Sequence, residues 1–264
     1  MCCRQEQHGF GRRLVSATAE VRRLSTPQEL FQAAGEEVLH SATDAISRRG
    51  RFTIALSGGS TPKNLYTLIA ANASASLPWS QVFFFFGDER HVPATDTESN
   101  YRMANETLLS KVPVPPANVF PIPTENPDAS AVAEAYEKTL RKFFALQPGE
   151  FPRFDLILLG MGPDGHCASL FPETEALQEK SRLVVANWVE KLHTNRITLT
   201  LPVLNAARRV AFLVSGSDKA AVLHEVLEGN APGEKYPSKL VRPSDGKLIW
   251  FVDRGAASQL SVAA

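Results

Sequence analysis

The chain has 264 residues with 28 Lys+Arg against 28 Asp+Glu, and a formal net charge of zero excludes the strongly basic balance of a nucleic-acid binder. Its 44% hydrophobic and 21% charged residues are those of an ordinary folded protein, and no apolar run approaches the about 18 residues a membrane-spanning helix needs. Three cysteines, Cys2, Cys3 and Cys167, lack any Cys-x-x-Cys or Cys/His ligand spacing, which argues against a disulfide framework or metal cage and fits a reducing compartment, the cytoplasm.

Residues 1–18, with Arg4, Arg12 and Arg13 against Glu6, read as a flexible extension. An organellar transit segment is the alternative, but no long apolar or serine-rich amphipathic face follows. From about residue 20 to 255 helix and strand signals alternate. That pattern predicts one α/β domain over 19–264, with a mainly parallel, Rossmann-like sheet flanked by helices. Val21–Leu24 opens it. Ser25-Thr26-Pro27 then starts a helix to about Ile46, with Leu30, Ala33, Ala34, Val38 and Ala45 near the 3.6 period. Strands are predicted at 52–56, 82–86, 155–159, 183–186, 197–201, 210–214 and 248–252, most of them apolar throughout, as parallel strands buried on both faces demand. Between Lys111 and Asp128, six prolines (113, 115, 116, 121, 123 and 127) exclude helix and central strand, so this stretch is an ordered connection before a helix over 131–144.

Four strands end in turns rich in glycine or charge: Ser57-Gly58-Gly59-Ser60-Thr61-Pro62, Gly87-Asp88-Glu89-Arg90-His91, Gly160-Met161-Gly162-Pro163-Asp164-Gly165-His166 and Ser215-Gly216-Ser217-Asp218-Lys219. In a parallel sheet all four lie on the carboxyl edge, where ligands of open α/β sheets bind, so they are expected to converge on one cleft. The first turn, with Thr61 read as N-cap and Pro62 at the first helical position, presents free backbone N–H groups at a helix N-terminus and predicts an anion cradle. This first turn matches neither the P-loop spacing nor Gly-x-Gly-x-x-Gly, so it lacks the main signatures of a nucleotide-binding turn.

Ser217 reads as a second N-cap, placing the Lys219 cation against the helix dipole, a conflict that a bound anion removes; the plain alternative is pairing with Asp218 or Glu225. His166, two residues from Asp164, is positioned to take a proton from water with a carboxylate to orient it, or to be a structural loop histidine. Asp88 and Glu89 supply acid or orienting groups, or helix caps. Arg90, Lys191 and Arg196 are further cations near strand ends. No Gly-x-Ser-x-Gly elbow exists, Ser169 lacks a triad context, and Cys167 reads as a small buried residue. Base-activated water without a metal is the simplest chemistry these turns support.

The blocks Ser57–Pro62, Gly87–Pro93, Ser99-Asn100-Tyr101-Arg102-Met103 and Gly160–Pro172 resemble the 6-phosphogluconolactonase family over about Val21 to Val252. The resemblance implies the sugar-phosphate isomerase/deaminase-like fold. It also implies hydrolysis of 6-phosphoglucono-δ-lactone to 6-phosphogluconate, the second step of the oxidative pentose phosphate pathway, with no cofactor. It implies His166 as the base, Asp164 as its orienting neighbour, and Arg90 as a substrate contact, with Arg90 or a backbone N–H near Gly162–Gly165 as the candidate oxyanion donor. Gly58, Gly59, Ser60, Thr61 and Lys219 become the phosphate cradle, with Asp88 and Arg196 as further substrate contacts. The partner expected is a small-molecule lactone, not nucleic acid or membrane, bound by a monomer or weak homo-oligomer. Glucosamine-6-phosphate isomerase/deaminases share the fold but carry Glu five residues after the histidine, where this chain has Phe171, and usually Tyr where it has Arg90. Lactonases usually have Thr at the position of Cys167. A non-catalytic sugar-phosphate sensor is a further alternative, and no basic helix-turn-helix extension accompanies it.

Overall fold

Short apolar strands need covering on both faces, and the chain achieves this by alternating them with helices. The computed structural model describes residues 19–72 and 77–261; the extension expected over 1–18 lies outside them. Among the described residues the strands are β1 (Glu20–Leu24), β2 (Phe52–Leu56), β3 (Val82–Phe86), β4 (Asp88–Arg90), β5 (Leu156–Gly160), β6 (Val184–Val189), β7 (Thr194–Leu199), β8 (Arg209–Val214) and β9 (Lys247–Asp253). The α-helices are α1 (Pro27–Arg49), α2 (Ser60–Asn72), α3 (Asn100–Thr107), α4 (Ala129–Phe144), α5 (Leu201–Ala206) and α6 (Ala220–Leu227). No described helix is long and apolar enough to cross a membrane.

Six strands form one sheet in the order β1-β9-β8-β5-β2-β3, with every neighbouring pair parallel. The chain leaves β2 toward β3 on one side and β5 toward β8 on the other. The crevice between the carboxyl ends of β2 and β5 is therefore a topological switch point, the position that ligands of such sheets occupy. All five residues of β2 are buried, and Phe212 of β8 stacks on Trp250 of β9 with ring centroids 3.8 Å apart. The start of α1 follows its sequence signal: Thr26 accepts a hydrogen bond from the Glu29 amide while Glu29 accepts one from the Ser25 amide, and Gly50 at φ 71° ends the helix.

The segments predicted as strands over 183–186 and 197–201 do not join this sheet. They form an antiparallel hairpin, β6 against β7, and with β4 make a second sheet in the order β4-β7-β6. The reason is connection length: only residues 190–193 separate β6 from β7, with His193 in the left-handed region at φ 46°. A parallel crossover needs about a dozen residues. The second strand stops at Leu199, because Leu201 and Pro202 begin α5. At Gly87 the chain passes between the sheets, its N–H donating to Leu56 O and its C=O accepting from Leu199 N.

The proline-rich stretch shields the edge of the large sheet. Phe120 N donates to Phe84 O, and the Asn118 amide reaches Ser80 O and Val82 O, so the open side of β3 is capped without a further strand. Behind it Phe85 contacts Phe120, Phe143, Phe144 and Phe154 with centroids 4.6–5.8 Å apart.

Candidate active site

The four turns meet. A cavity of about 450 Å³ lies at the carboxyl ends of β2, β3, β5 and β8, within the roughly 300–1,000 Å³ of small-molecule sites. It is lined by Gly58, Gly59, Ser60, Thr61, Asp88, Arg90, His166, Arg196 and Lys219. Asp164, the remaining candidate, reaches the cavity through His166.

The exit of β2 is fixed by a side chain that periodicity does not reveal. The Tyr66 hydroxyl accepts from Ser57 N at 2.9 Å and donates to Ser57 O at 2.8 Å, and full burial pushes its pKa up, keeping the proton available. Tyr136 of α4 does the same for Phe86 at the end of β3, at 2.8 and 3.2 Å. Thr61 is not the N-cap: α2 begins at Ser60, and Gly59, at φ 101°, supplies the carbonyl that accepts from Lys63 N. The left-handed glycine lets the chain fold straight into the helix, so Thr61 and Pro62 fall inside the first turn, where leading N–H groups lack intrahelical partners. A Cβ on Gly58 would lie 1.9 Å from Asn100 Oδ1, so only glycine fits there.

Across the cavity, Ser217 is likewise no α-helical N-cap. It opens a 3₁₀ turn, Ser217–Lys219, entered through Gly216 at φ 103°, and α6 begins at Ala220. The loop is anchored by the buried Asp253 carboxylate, which accepts from Ser215 Oγ at 2.5 Å, Gly216 N at 3.1 Å and Ala256 N at 2.8 Å. Lys219 Nζ pairs with Asp218 at 2.7 Å, yet Lys219 is 21% exposed against 67% for Asp218, and it lines the cavity.

In the loop after β5, His166 Nδ1 and Asp164 Oδ1 are 2.5 Å apart, and the other Asp164 oxygen accepts from Lys191 Nζ. An ionised carboxylate on Nδ1 selects the tautomer with its proton there and leaves Nε2 as the basic nitrogen. Burial raises the Asp164 pKa, but the hydrogen bonds from His166 and Lys191 outweigh it and hold the carboxyl well below the usual carboxylate range. The imidazole stacks on Phe171 at 4.1 Å, and a Cβ on Gly162 would sit 2.0 Å from Nδ1, so both a ring and a glycine shape its seat. Cys167 is buried, and burial pushes its thiol up to about 12, far from a thiolate nucleophile.

Strand alternation sorts the charges of β4. Asp88 and Arg90 face the cavity, whereas Glu89 points the other way and is a helix cap, accepting from Asn100 N at 2.7 Å, Tyr101 N at 2.8 Å and Ser99 Oγ at 3.2 Å. Asp88 accepts from Ser169 Oγ at 2.7 Å and from Asn100 Nδ2 at its backbone carbonyl, so Ser169 serves the carboxylate and not the histidine. Arg90 stands opposite Arg196 in the β4–β7 register, both line the cavity, and Arg90 Nη1 donates to Glu98 O. Burial and then the Arg90 charge lower the pKa of Arg196, whose Nε is buried without a hydrogen-bond partner. Like charges directly opposite repel, and an anion beside them relieves the conflict.

Sequence reasoning missed Tyr66, Tyr136 and Asp253 as anchors, and noted Lys191 only as a nearby cation. An acid ending a predicted strand was the available signal for Asp253. The tyrosines had none, because their partners depend on helix-to-strand docking.

A model of the glucosamine-6-phosphate isomerases/6-phosphogluconolactonase family matches residues 25–250. The chain is 44% identical over 237 residues to a 6-phosphogluconolactonase of Synechocystis sp., covering 90% of this chain and 96% of that protein. It is 42% identical over 242 residues to the 6-phosphogluconolactonase of Homo sapiens, covering 90% and 92%. The solved 6-phosphogluconolactonase from Trypanosoma cruzi superposes with a TM-score of 0.85 at 32% identity, covering 94% of this chain and 99% of that one.

Proposed function

This chain belongs to the glucosamine-6-phosphate isomerase/6-phosphogluconolactonase family, and from that premise we propose that it hydrolyses 6-phospho-D-glucono-1,5-lactone to 6-phospho-D-gluconate. The observation that carries this reading is the contact between His166 Nδ1 and Asp164, which leaves Nε2 as the base on a cavity shared with the Gly58–Thr61 turn and Lys219.

In this mechanism Nε2 removes a proton from water as its oxygen attacks C1. The carbonyl electrons move to the oxygen, and collapse of the tetrahedral intermediate breaks the bond to the ring oxygen, which takes the proton back from His166. Base catalysis of this kind contributes about 10²–10⁴-fold, and a donor at the oxyanion about 3 kcal/mol. Among candidate donors, the N–H groups of Gly162 and Gly165 are engaged with His166 O and Gly162 O, and Pro163 has none, which leaves the Asp164 N–H and the Arg90 guanidinium, whose Nη1 also donates to Glu98 O. The α2 N-terminus and Lys219 hold the phosphate, and Asp88 and Arg196 contact the sugar phosphate, so remote binding energy places C1 beside the base. Residues 19–264 act as one domain in the cytoplasm, as a monomer or weak homo-oligomer. The deaminase reading loses its carboxylate: Phe171 stands at that position and stacks on the base.

The test is hydrolysis of freshly made 6-phosphogluconolactone, corrected for spontaneous opening, beside unphosphorylated gluconolactone and glucosamine 6-phosphate. The reading expects preference for the phosphorylated lactone by at least about 100-fold in kcat/KM, close to 2.7 kcal/mol of phosphate binding. Release of ammonia from the amino sugar, or no rate above the spontaneous one, overturns it.

A further inference from the structure

The ring nitrogen that holds His166 in place bonds a carboxylate whose other oxygen is claimed from a different sheet. Lys191 sits at the tip of the β6–β7 hairpin, in the turn Glu190–Leu192, and its ammonium bonds Asp164 Oδ2 while lying 4.8 Å from the centroid of Phe171, the ring stacked on His166. The tip is itself held: Glu190 accepts from Trp188 Nε1 at 2.6 Å, and His193 follows in the left-handed region. Lys191 is about half exposed, so it carries no share of the core and is free to be selected for what it touches.

We infer that Lys191 is a positioning residue for the proposed hydrolysis, one that acts through Asp164 to fix and tune the His166 base, a role that rests on His166 being that base. Two effects follow. The carboxylate is held on both oxygens, so it cannot rotate away from Nδ1. The ammonium also offsets the carboxylate charge that would otherwise stabilise the imidazolium, favouring the neutral ring that can accept a proton. The other charged groups on the same cavity are Asp88 and Arg90 from β4, Arg196 from β7 and Lys219 after β8; among the described residues only Asp164 forms a hydrogen bond with the ring.

The test is the pH dependence of kcat/KM for Lys191→Met and Lys191→Arg in the full chain, with His166→Asn in parallel. With the cation gone, the bare carboxylate stabilises imidazolium. The acid limb of Lys191→Met is then expected to move upward by about one pH unit, giving a loss of about tenfold below the limb and a smaller one above it, with KM near wild type. Lys191→Arg restores the limb, since it keeps the charge. A loss in Lys191→Met that is the same at every pH, or an unmoved limb, overturns the inference. Wild-type-like turnover in His166→Asn overturns the base assignment itself. An inactive His166→Asn beside an unmoved Lys191→Met limb overturns the positioning role alone.

Discussion

Two sheets build one cleft, and they contribute different things. The large parallel sheet supplies backbone: the N-terminus of α2 at the end of β2, and the glycine-shaped seat of His166 after β5. The small antiparallel sheet supplies charge: Asp88 and Arg90 on β4, Arg196 on β7 and Lys191 at the hairpin tip. The first set is fixed by fold and tolerates little steric change. The second hangs on side chains and is open to tuning. On the proposed reading the parallel sheet therefore supplies both the seat of the base and the phosphate cradle, and its neighbour adds charged side chains around the sugar.

That division is broken most directly by a change of one methyl group. Gly162→Ala places a Cβ 2.0 Å from His166 Nδ1 and displaces the ring. A fall in kcat of about 10²–10⁴-fold with retained circular dichroism is expected, and wild-type kcat would show that the seat is not steric. On the antiparallel side, Arg196→Met should raise KM by about 10–100-fold with kcat within a few-fold. Because Arg196 faces Arg90 and buries an unpartnered Nε, its thermal stability should hold or rise, an outcome read by Tm beside KM. If Lys219 is one of several phosphate contacts, as proposed, Lys219→Ala should raise KM by about tenfold. Tyr66→Phe deletes both hydrogen bonds to Ser57 and is expected to cost about 1–3 kcal/mol in urea unfolding, with a smaller rise in KM.

The smallest effect concerns pH. The Asp164 pKa is depressed in the folded state, so the carboxylate contributes stability that is present above its unfolded value, near 4, and is lost as pH falls through the lower folded value. The Tm difference between wild type and Asp164→Asn should accordingly narrow below about pH 4. A constant difference across that window would mean that Asp164 is not held by its cationic partners.

The parallel sheet was legible because its strands are apolar throughout and its turns carry glycine at the carboxyl edge. β2, β3, β5, β8 and β9 lie within about a residue of the expected spans, and Gly58–Thr61, His166 and Lys219 line the expected cleft. The antiparallel sheet was not. β4 is three residues long and reads as a charged turn, and the apolar residues of β6 and β7 mimic buried parallel strands unless the four-residue connection is counted. Helix starts were misplaced for one shared reason: Gly59 and Gly216 take positive φ and begin their turns ahead of the Thr61 and Ser217 caps that residue preferences suggested. Glu89 could be separated from Asp88 and Arg90 only once strand alternation applied to that short segment.

The central claim is that Nε2 of His166 activates the water. The measurement closest to it is single-turnover hydrolysis of 6-phosphogluconolactone by wild type and His166→Asn at pH 7, each corrected for spontaneous opening. The account predicts that the variant binds the substrate with near-wild-type affinity but loses at least about 100-fold in the chemical step. A variant that hydrolyses the lactone at the wild-type rate contradicts it.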